Sequence, residues 1–423
     1  MLTLKLIQEN PELVVEKLTK KNFDAREIMK EITETDKRRR ETQHRLDMLQ
    51  AEMNTLAKEI GILFKSGQKE KAEENKVRTI TLKDDIQQLG NELNELEKSL
   101  NDKLVILPNI PHESVPAGKS AHDNITIRTG GPAARKAGET LPHWEFTQKT
   151  GIIDFETGVK LTGAGFPVYK GKGARLQSGL IRFFLDEAVN AGFTEIMPPL
   201  MVNAESAFAT GQLPDKDGQM YHATEDNLYL IPTAEVPLTN IYRDMVLAEE
   251  ELPVKITGYT PCFRREAGSY GKDVRGLNRL HQFDKVEIVC ITHPDKSYAM
   301  LEEMVNHVAG LLDKLELTWR VVKLCGGDMS FTSALTYDFE VYSSAQDKWL
   351  EVSSVSNFET FQSNRLKLRF RDPETKKPRM AHTLNGSALA LPRIVAALIE
   401  NHQHNGEFIL PEALHAYTGF KSI

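Results

Sequence analysis

The chain has 423 residues, enough for two or three domains, and 40% of them are apolar, ample for a sizeable core. A formal net charge of -7 excludes attraction to nucleic acid by bulk electrostatics, so any such role needs a local basic surface. The three cysteines, Cys262, Cys290 and Cys325, are not spaced as zinc pairs and read as core or strand residues of a protein in a reduced compartment.

Residues 1–14 reach charged side chains too soon for a signal peptide, and no run of about eighteen apolar residues follows. A soluble cytoplasmic protein without a membrane span is expected. From about 28 to 104 the pattern predicts a long antiparallel helical hairpin. Leu46, Leu49, Met53, Leu56, Ile60 and Leu63 alternate three- and four-residue steps, and Thr42, Arg39, Thr35, Ile32 and Ile28 continue the register backwards. Leu82, Ile86, Leu89, Leu93, Leu96 and Leu100 repeat it. Each series keeps one stripe on one helix face, and the two can close on each other. The short polar stretch from Ser66 to Lys69 demands an antiparallel return. The two limbs are nearly equal, which makes each the other's partner and disfavours a dimerisation coiled coil. Lys37, Arg38, Arg39 and Arg40, with Arg45, form a basic cluster that is either a solvated helix face or a phosphate contact.

Pro108, Pro111 and Pro116 end the arm in a linker. Beyond it, strands are expected at 194–202, 228–232, 255–263, 283–291, 319–324, 337–342 and 349–355, with helices at about 174–190, 296–315 and 387–403. Several strands follow one another without a helix between them, which favours a mixed, largely antiparallel sheet over a doubly wound one.

No GxxxxGK[ST] is present, so this is not a P-loop protein. Gly163-Ala164-Gly165 and Gly171-Lys172-Gly173 read as structural turns leading into a helix at Ala174. A sharper signal is Phe263-Arg264-Arg265-Glu266, a strand ending in arginines, followed by the glycine-rich stretch from Ala267 to Gly276. That order sets fixed cations beside a mobile cover, as phosphoryl chemistry requires, since Arg grips a phosphate bidentately and stays charged. In the next strand Phe283, Lys285 and Glu287 share one face, where a purely structural strand would carry apolar residues.

At this point the sequence resembles the seryl-tRNA synthetases of bacterial type, essentially end to end. The helix from Ala174 to the strand at Glu195-Ile196-Met197-Pro198-Pro199 is similar to motif one of the class II synthetases, the dimer interface in that family. Phe263 to Glu287 is similar to motif two, with Arg264 and Glu266 as its Arg-x-Glu signature. Thr383 to Arg393 is similar to motif three, ending in its arginine. Thr233-Ala234-Glu235 and the hairpin make the resemblance specific.

The resemblance implies an α+β fold: a mainly antiparallel class II sheet with helices, plus an N-terminal two-helix coiled-coil arm. It divides the chain into a tRNA-binding domain, 1–107, and a catalytic domain, 108–423. The activity implied is serine–tRNA ligation in a homodimer: L-serine and ATP give seryl-adenylate, and serine passes to tRNA(Ser) and, in the family, to tRNA(Sec). Arg264 would bind the α-phosphate and the serine carboxylate, with Glu266 and Arg393 as its catalytic companions. Glu266 would face the adenine edge, and Phe283 and Arg393 would sandwich the ring. Arg265, Leu280, Val352 and Ser353 would complete the ATP site. Glu351 and Ser354 would hold Mg²⁺, whose hard character suits oxygen ligands. Thr233, Ala234 and Glu235 would take the serine amino group, and Glu287 and Ser387 would lie by its hydroxyl.

The sequence departs from the family pattern at Ala388 and Pro392, where Gly is common, and at Arg265, where a small residue is common. Pro392 would strain a helix interior unless it sits in the first turn. An adenylating paralogue that loads a carrier protein would be expected to lack the hairpin. A synthetase-derived binding protein would be expected to have a broken Arg-x-Glu, Thr233–Glu235 or metal pair, and all three are intact.

Overall fold

The computed structural model describes residues 1–136, 138–215, 218–266 and 275–423. The chain separates into two compact units, Met1–Thr19 with Phe23–Pro108, and Lys20–Asn22 with Asn109–Ile423. Among the described residues no helix is long and apolar enough to cross a membrane.

The first unit holds two short helices, α1 (Leu4–Glu9) and α2 (Pro11–Thr19), and two long ones, α3 (Arg26–Lys65) and α4 (Lys69–Ile106). The long pair have 40 and 38 residues, about 60 and 57 Å at 1.5 Å per residue. Their stripe is the one expected: Ile32, Thr42 and Leu46 on α3 and Leu82, Leu89, Leu93, Leu96 and Leu100 on α4 are buried. Towards the turn Met53, Leu56, Ile60 and Leu63 are only half-buried, because two helices alone cover just one side of a stripe. Gly67 closes α3 at φ 78°, and the Gln68 amide donates to the Leu63 carbonyl at 3.0 Å.

At the base the buried register steps by one residue, to Met29 and Asp36. The cause is the short helix α1, which the sequence pattern did not reveal. From it the Gln8 amide donates to Asp36 Oδ2 at 2.6 Å, drawing that carboxylate under the hairpin. Asp36 in turn holds Arg39 at 2.8 Å and Arg40 at 3.1 Å. The basic cluster is thus partly neutralised from within, and its outward cations are Lys37, Arg38 and Arg45, of which Arg38 lies 3.9 Å from Glu92.

The second unit is built on an eight-stranded sheet: β1 (Ile125–Gly130), β2 (Thr194–Glu195), β3 (Val254–Phe263), β4 (Gln282–Thr292), β5 (Trp319–Lys323), β6 (Leu335–Ser343), β7 (Lys348–Glu359) and β8 (His382–Ala390). The spatial order is β1-β5-β6-β7-β8-β4-β3-β2. Every pairing is antiparallel except β2 with β3. The helices that matter below are α5 (His143–Thr150), α6 (Lys172–Asn190), α7 (Glu235–Asn240), α8 (Ser297–Lys314), α9 (Thr360–Leu366) and α10 (Leu391–Asn401).

One face of the sheet buries the core. Val286, Ile288 and Cys290 of β4 and Leu384 and Ala388 of β8 pack with Phe183 and Phe184 of α6, Met304 and Val308 of α8, and Ile394 and Leu398 of α10. The strand period of two then turns Lys285, Glu287, Asn385 and Ser387 to the opposite face.

Two expected elements are corrected. The helix expected at 387–403 begins only at Leu391, because Ser387–Ala390 finish β8, a central strand whose Ser387 and Gly386 pair with Glu287 of β4 and Val355 of β7. Pro392 then sits at the start of α10, where a missing N–H costs nothing. The strand expected at 194–202 is two short pieces, Thr194–Glu195 and Met201–Val202, since Pro198 and Pro199 cannot donate to a ladder.

Candidate active site

On the polar face of the sheet lies a cavity of about 660 Å³, the size of a small-molecule site. Its floor comes from β4, β7 and β8, and its walls from Arg264 and Glu266 beyond the end of β3, from the 275–280 segment, from the start of α7 and from the start of α10. Thr233, Glu235, Arg264, Glu266, Leu280, Phe283, Glu287, Glu351, Val352, Ser353, Ser354, Ser387 and Arg393 all line it. Two of the residues anticipated from sequence do not. Ala234 turns its methyl into an apolar cluster with Leu238, Ile256 and Val289. Arg265 is exposed, its amide donating to the Gln219 carbonyl at 2.8 Å. The glycine-rich stretch expected to cover the site lies, from Ala267 to Val274, outside the described residues.

One end of the cavity is a buried polar cluster. Glu287 is 1% exposed, Lys285 5% and Glu235 7%. The Thr233 hydroxyl donates to Glu287 Oε2 at 3.0 Å and accepts from Lys285 Nζ at 2.9 Å and from the Glu235 amide at 3.2 Å. Lys285 Nζ also stands 2.5 Å from Glu287 Oε2, and Asn385 donates to Glu287 Oε1 at 3.1 Å. Both oxygens of this buried carboxylate therefore have partners, as a buried polar group requires.

Glu235 is less well compensated. The Gln362 amide of α9 donates to its Oε1 at 2.6 Å, and Gln362 is itself fixed by the Thr383 hydroxyl at 2.7 Å. Burial, then the charge of Glu287, push the Glu235 carboxyl up to about 7, against the opposing pull of Gln362, Lys285 and Arg264. A cationic group arriving beside it would restore the charge balance.

The other end is cationic and aromatic. Arg264 donates to the Pro232 carbonyl at 3.3 Å, and its guanidinium lies 5.3 Å from the centre of the Phe283 ring. Glu266, at φ 46°, stands 3.3 Å from Arg279. Arg393, in the first turn of α10, donates to the Glu351 carbonyl at 2.6 Å and to the Asn278 carbonyl at 3.2 Å. Arg264, Arg279 and Arg393 thus face the same space as the flat ring of Phe283, a setting for a phosphorylated aromatic ligand.

Glu351 and Ser354 offer oxygen donors only. The Ser354 hydroxyl bonds the Asp338 carboxylate, whose Oδ1 is buried without a partner. Burial, then the charge of Glu351, push Asp338 well above the usual carboxylate range. Among the described residues no group of three or more His, Cys, Asp or Glu side chains could hold a metal by itself. A pair of hard oxygen ligands therefore suits a cation that arrives with the rest of its ligands on a polyphosphate, as Mg²⁺ does.

Lys285, Gln362, Asn278 and Arg279 were not anticipated as site residues. A sequence signal existed for Lys285, which lies on the same strand face as Phe283 and Glu287. None existed for Gln362, which meets Glu235 from 127 residues away in the chain.

Comparison with known proteins agrees with this geometry. Residues 1–111 match the family model of the seryl-tRNA synthetase N-terminal domain, and residues 219–402 that of the tRNA synthetase class II core domain (G, H, P, S and T). The serine–tRNA ligase of Salinibacter ruber is 49% identical, over 100% of this chain and 99% of the relative. That of Geobacter sulfurreducens is 43% identical over 99% of both chains. Among solved structures, seryl-tRNA synthetase from Pyrococcus horikoshii complexed with ATP superposes with a TM-score of 0.92 at 36% identity, covering 100% of this chain and 99% of its own. With a cavity of this chemistry on a class II sheet and relatives matched from end to end, the chain belongs to the seryl-tRNA synthetase family.

Proposed function

We propose that the cavity activates L-serine with ATP and that the product seryl-adenylate is then consumed by tRNA(Ser). The observation that carries this reading is one cavity with two chemically opposite ends, a buried carboxylate cluster at Thr233–Glu235–Lys285–Glu287 and an arginine–phenylalanine wall. In the first step a serine carboxylate oxygen attacks the α-phosphorus, the bond to the β-phosphate bridging oxygen breaks, and pyrophosphate leaves. In the second the 3′-terminal hydroxyl of the tRNA attacks the carbonyl carbon and AMP leaves.

In this reading Arg264, which lines the cavity, neutralises both the attacking carboxylate and the α-phosphate, lowering the barrier by charge stabilisation. Phe283 and Arg393 take the adenine ring between them, Glu266 its edge, and Leu280, Val352 and Ser353 the remaining walls. The serine ammonium ion pairs with Glu235 and Thr233, and the serine hydroxyl meets Glu287 and Ser387. A site built to bond a hydroxyl penalises alanine by leaving buried polar groups unpaired, a discrimination on the order of 10⁴–10⁵ in comparable pockets. Glu351 and Ser354 would hold Mg²⁺, which when bound supplies positive charge across the phosphates.

In this reading residues 1–107 are the tRNA-binding domain and 108–423 the catalytic domain. The arm is assigned to tRNA(Ser) and, by family resemblance, to tRNA(Sec) where a host has it. A homodimer through the motif-one region is supported by exposed apolar side chains there, Met197 being 87% exposed, with Leu200 and Met201 beside it. The enzyme would work in the cytoplasm, where ATP, L-serine and tRNA meet.

The test is ATP–pyrophosphate exchange across the amino acids. Exchange that depends on serine and is lost in Arg264→Ala is expected. Absence of serine-dependent exchange in the intact chain would sink the reading.

A further inference from the structure

Behind the cavity is a second buried polar network, centred on two residues that do not line it. His143, at the start of α5, and Glu400, near the end of α10, are each 0% exposed. His143 Nδ1 is 2.6 Å from Glu400 Oε1, and the His143 amide donates to the same oxygen at 3.0 Å. On the far side of the ring the Leu277 amide donates to Nε2 at 2.8 Å. Nε2 must then carry a lone pair, so the ring is neutral, its proton is on Nδ1, and that proton is donated to Glu400.

Glu400 gathers three further bonds: the Ser343 hydroxyl to Oε2, and the Gln346 amide to both oxygens at 2.9 and 3.0 Å. Burial alone would raise this carboxyl, but the hydrogen bonds from His143 and Ser343 hold it below its ordinary value. Gln346 then accepts from the Asn278 side chain at 3.0 Å, and the Asn278 carbonyl accepts from Arg393. One carboxylate therefore ties down Leu277 through a histidine, and Asn278 and Arg393 through a glutamine. The fit is close: Gly276 has φ 65°, and a Cβ there would lie 2.2 Å from His143 Nε2. The next residue back, Arg275, stacks its guanidinium 4.9 Å from the Trp144 ring.

The segment so held supplies Leu277, Asn278, Arg279 and Leu280 to the cavity lining, and its Asn278 carbonyl meets Arg393 while Arg279 meets Glu266, both at the cationic end. We propose that His143 and Glu400 are positioning residues, a buried dyad that sets the Gly276–Leu280 limb and, through Asn278, the Arg393 guanidinium, and that they govern the affinity for ATP and not for serine. The second half of this statement rests on the assignment of the cationic end to ATP.

The decisive variant is His143→Asn in the full chain. Its amide can reach Glu400 as Nδ1 does, but it has no acceptor at the place of Nε2, so the Leu277 amide loses its partner. In pyrophosphate exchange the KM for ATP should rise about tenfold, the cost of roughly one buried hydrogen bond. The KM for serine should stay within about twofold, because a loss of this size is confined to groups in contact with it. His143→Gln, whose longer side chain can offer an oxygen to Leu277, should recover most of the ATP affinity. Gln346→Met removes the Asn278 branch, and with it the two Gln346 bonds to Glu400, but leaves the His143–Leu277 branch; it should give a smaller rise, which decides the matter if His143→Asn does not fold.

Hydrogen exchange provides a readout independent of catalysis, with the Leu277 amide losing its protection in His143→Asn. Unchanged Leu277 protection overturns the proposal, as does an equal rise in both KM values. If the wild-type chain shows no serine-dependent exchange, the ATP assignment fails instead, and the Leu277 protection still decides whether the dyad anchors the limb.

Discussion

Burial and the charge of Glu287 push the Glu235 carboxyl up from an ordinary 4.5 to about 7, so between those values the folded protein holds a proton that the unfolded chain releases. The sign follows directly. The stability that this group lends is fully present below about 4.5 and is lost as the pH rises through about 7. Glu235→Gln removes the ionisation while keeping an oxygen for the Gln362 amide. Denaturant unfolding of the ligand-free variant should therefore show a gain of up to about 3 kcal/mol at pH 8. That gain should disappear near pH 4; equal stability at both pH values would contradict the assignment. The same carboxylate must be charged to receive an ammonium, so the serine KM of the wild type should climb about tenfold per pH unit below about 7, while Glu235→Gln should lose serine activation at every pH. At this scale the sequence made Glu235 and Glu287 visible through their motifs, but not their different sets of partners. Those depend on Lys285, which its shared strand face with Glu287 made legible, and on Asn385 and Gln362, whose approach to the two carboxylates is created by strand and helix packing and has no local signature.

The two long helices were legible because their pattern is local: a three- and four-residue step repeated for forty residues or so has one structural solution. Their base was not, because there a buried Asp36 replaces an apolar residue and is satisfied by Gln8 from a separate short helix. β4 was legible for the same reason as the stripe, its period of two separating Val286, Ile288 and Cys290 from Phe283, Lys285 and Glu287. The end of β8 was misread as helix since Ala388, Leu389, Ala390 and Leu391 are good helix formers, and only the pairing with β4, which runs on to Ala390 opposite Lys285, overrides that propensity. The gradient of burial along the hairpin makes a prediction of its own. Leu93→Ala, in the cluster with Leu46 and Leu89, should cost about 2–4 kcal/mol. Val77→Ala near the turn, where the side chain is 64% exposed, should stay within about 0.5 kcal/mol. Loss of helical circular dichroism on heating the two variants measures the difference; equal effects would mean that the stripe is not the seam that holds the hairpin together.

For the molecule as a whole the question is how an acidic chain of net charge -7 receives a polyanion. The local answer we propose is the hairpin, whose two limbs have almost no core beyond their own seam. They expose Lys37, Arg38 and Arg45, while Asp36 absorbs Arg39 and Arg40. If the hairpin serves tRNA alone, shortening it should separate the two half-reactions. Leu49 and Ile86 face each other in the seam beside Leu46 and Leu89, and Glu52 pairs with Arg78 one turn further out. Excising residues 50–85 and grafting the Ser66–Lys69 turn between Leu49 and Ile86 would therefore close a shorter hairpin without opening its base. Serine-dependent pyrophosphate exchange should persist within about twofold, since distant sites are nearly independent, while tRNA charging should fall by orders of magnitude. Exchange that vanished with the arm would contradict the division of labour. The charged face gives a finer measure: Lys37→Ala, Arg38→Ala and Arg45→Ala together should flatten the dependence of log affinity for tRNA on log salt by about 2–3, close to one per lost phosphate contact. An unchanged slope would return these cations to the status of a solvated helix face, and leave the grip on the tRNA to the exposed apolar side chains near the turn, Ile62, Val77 and Ile80.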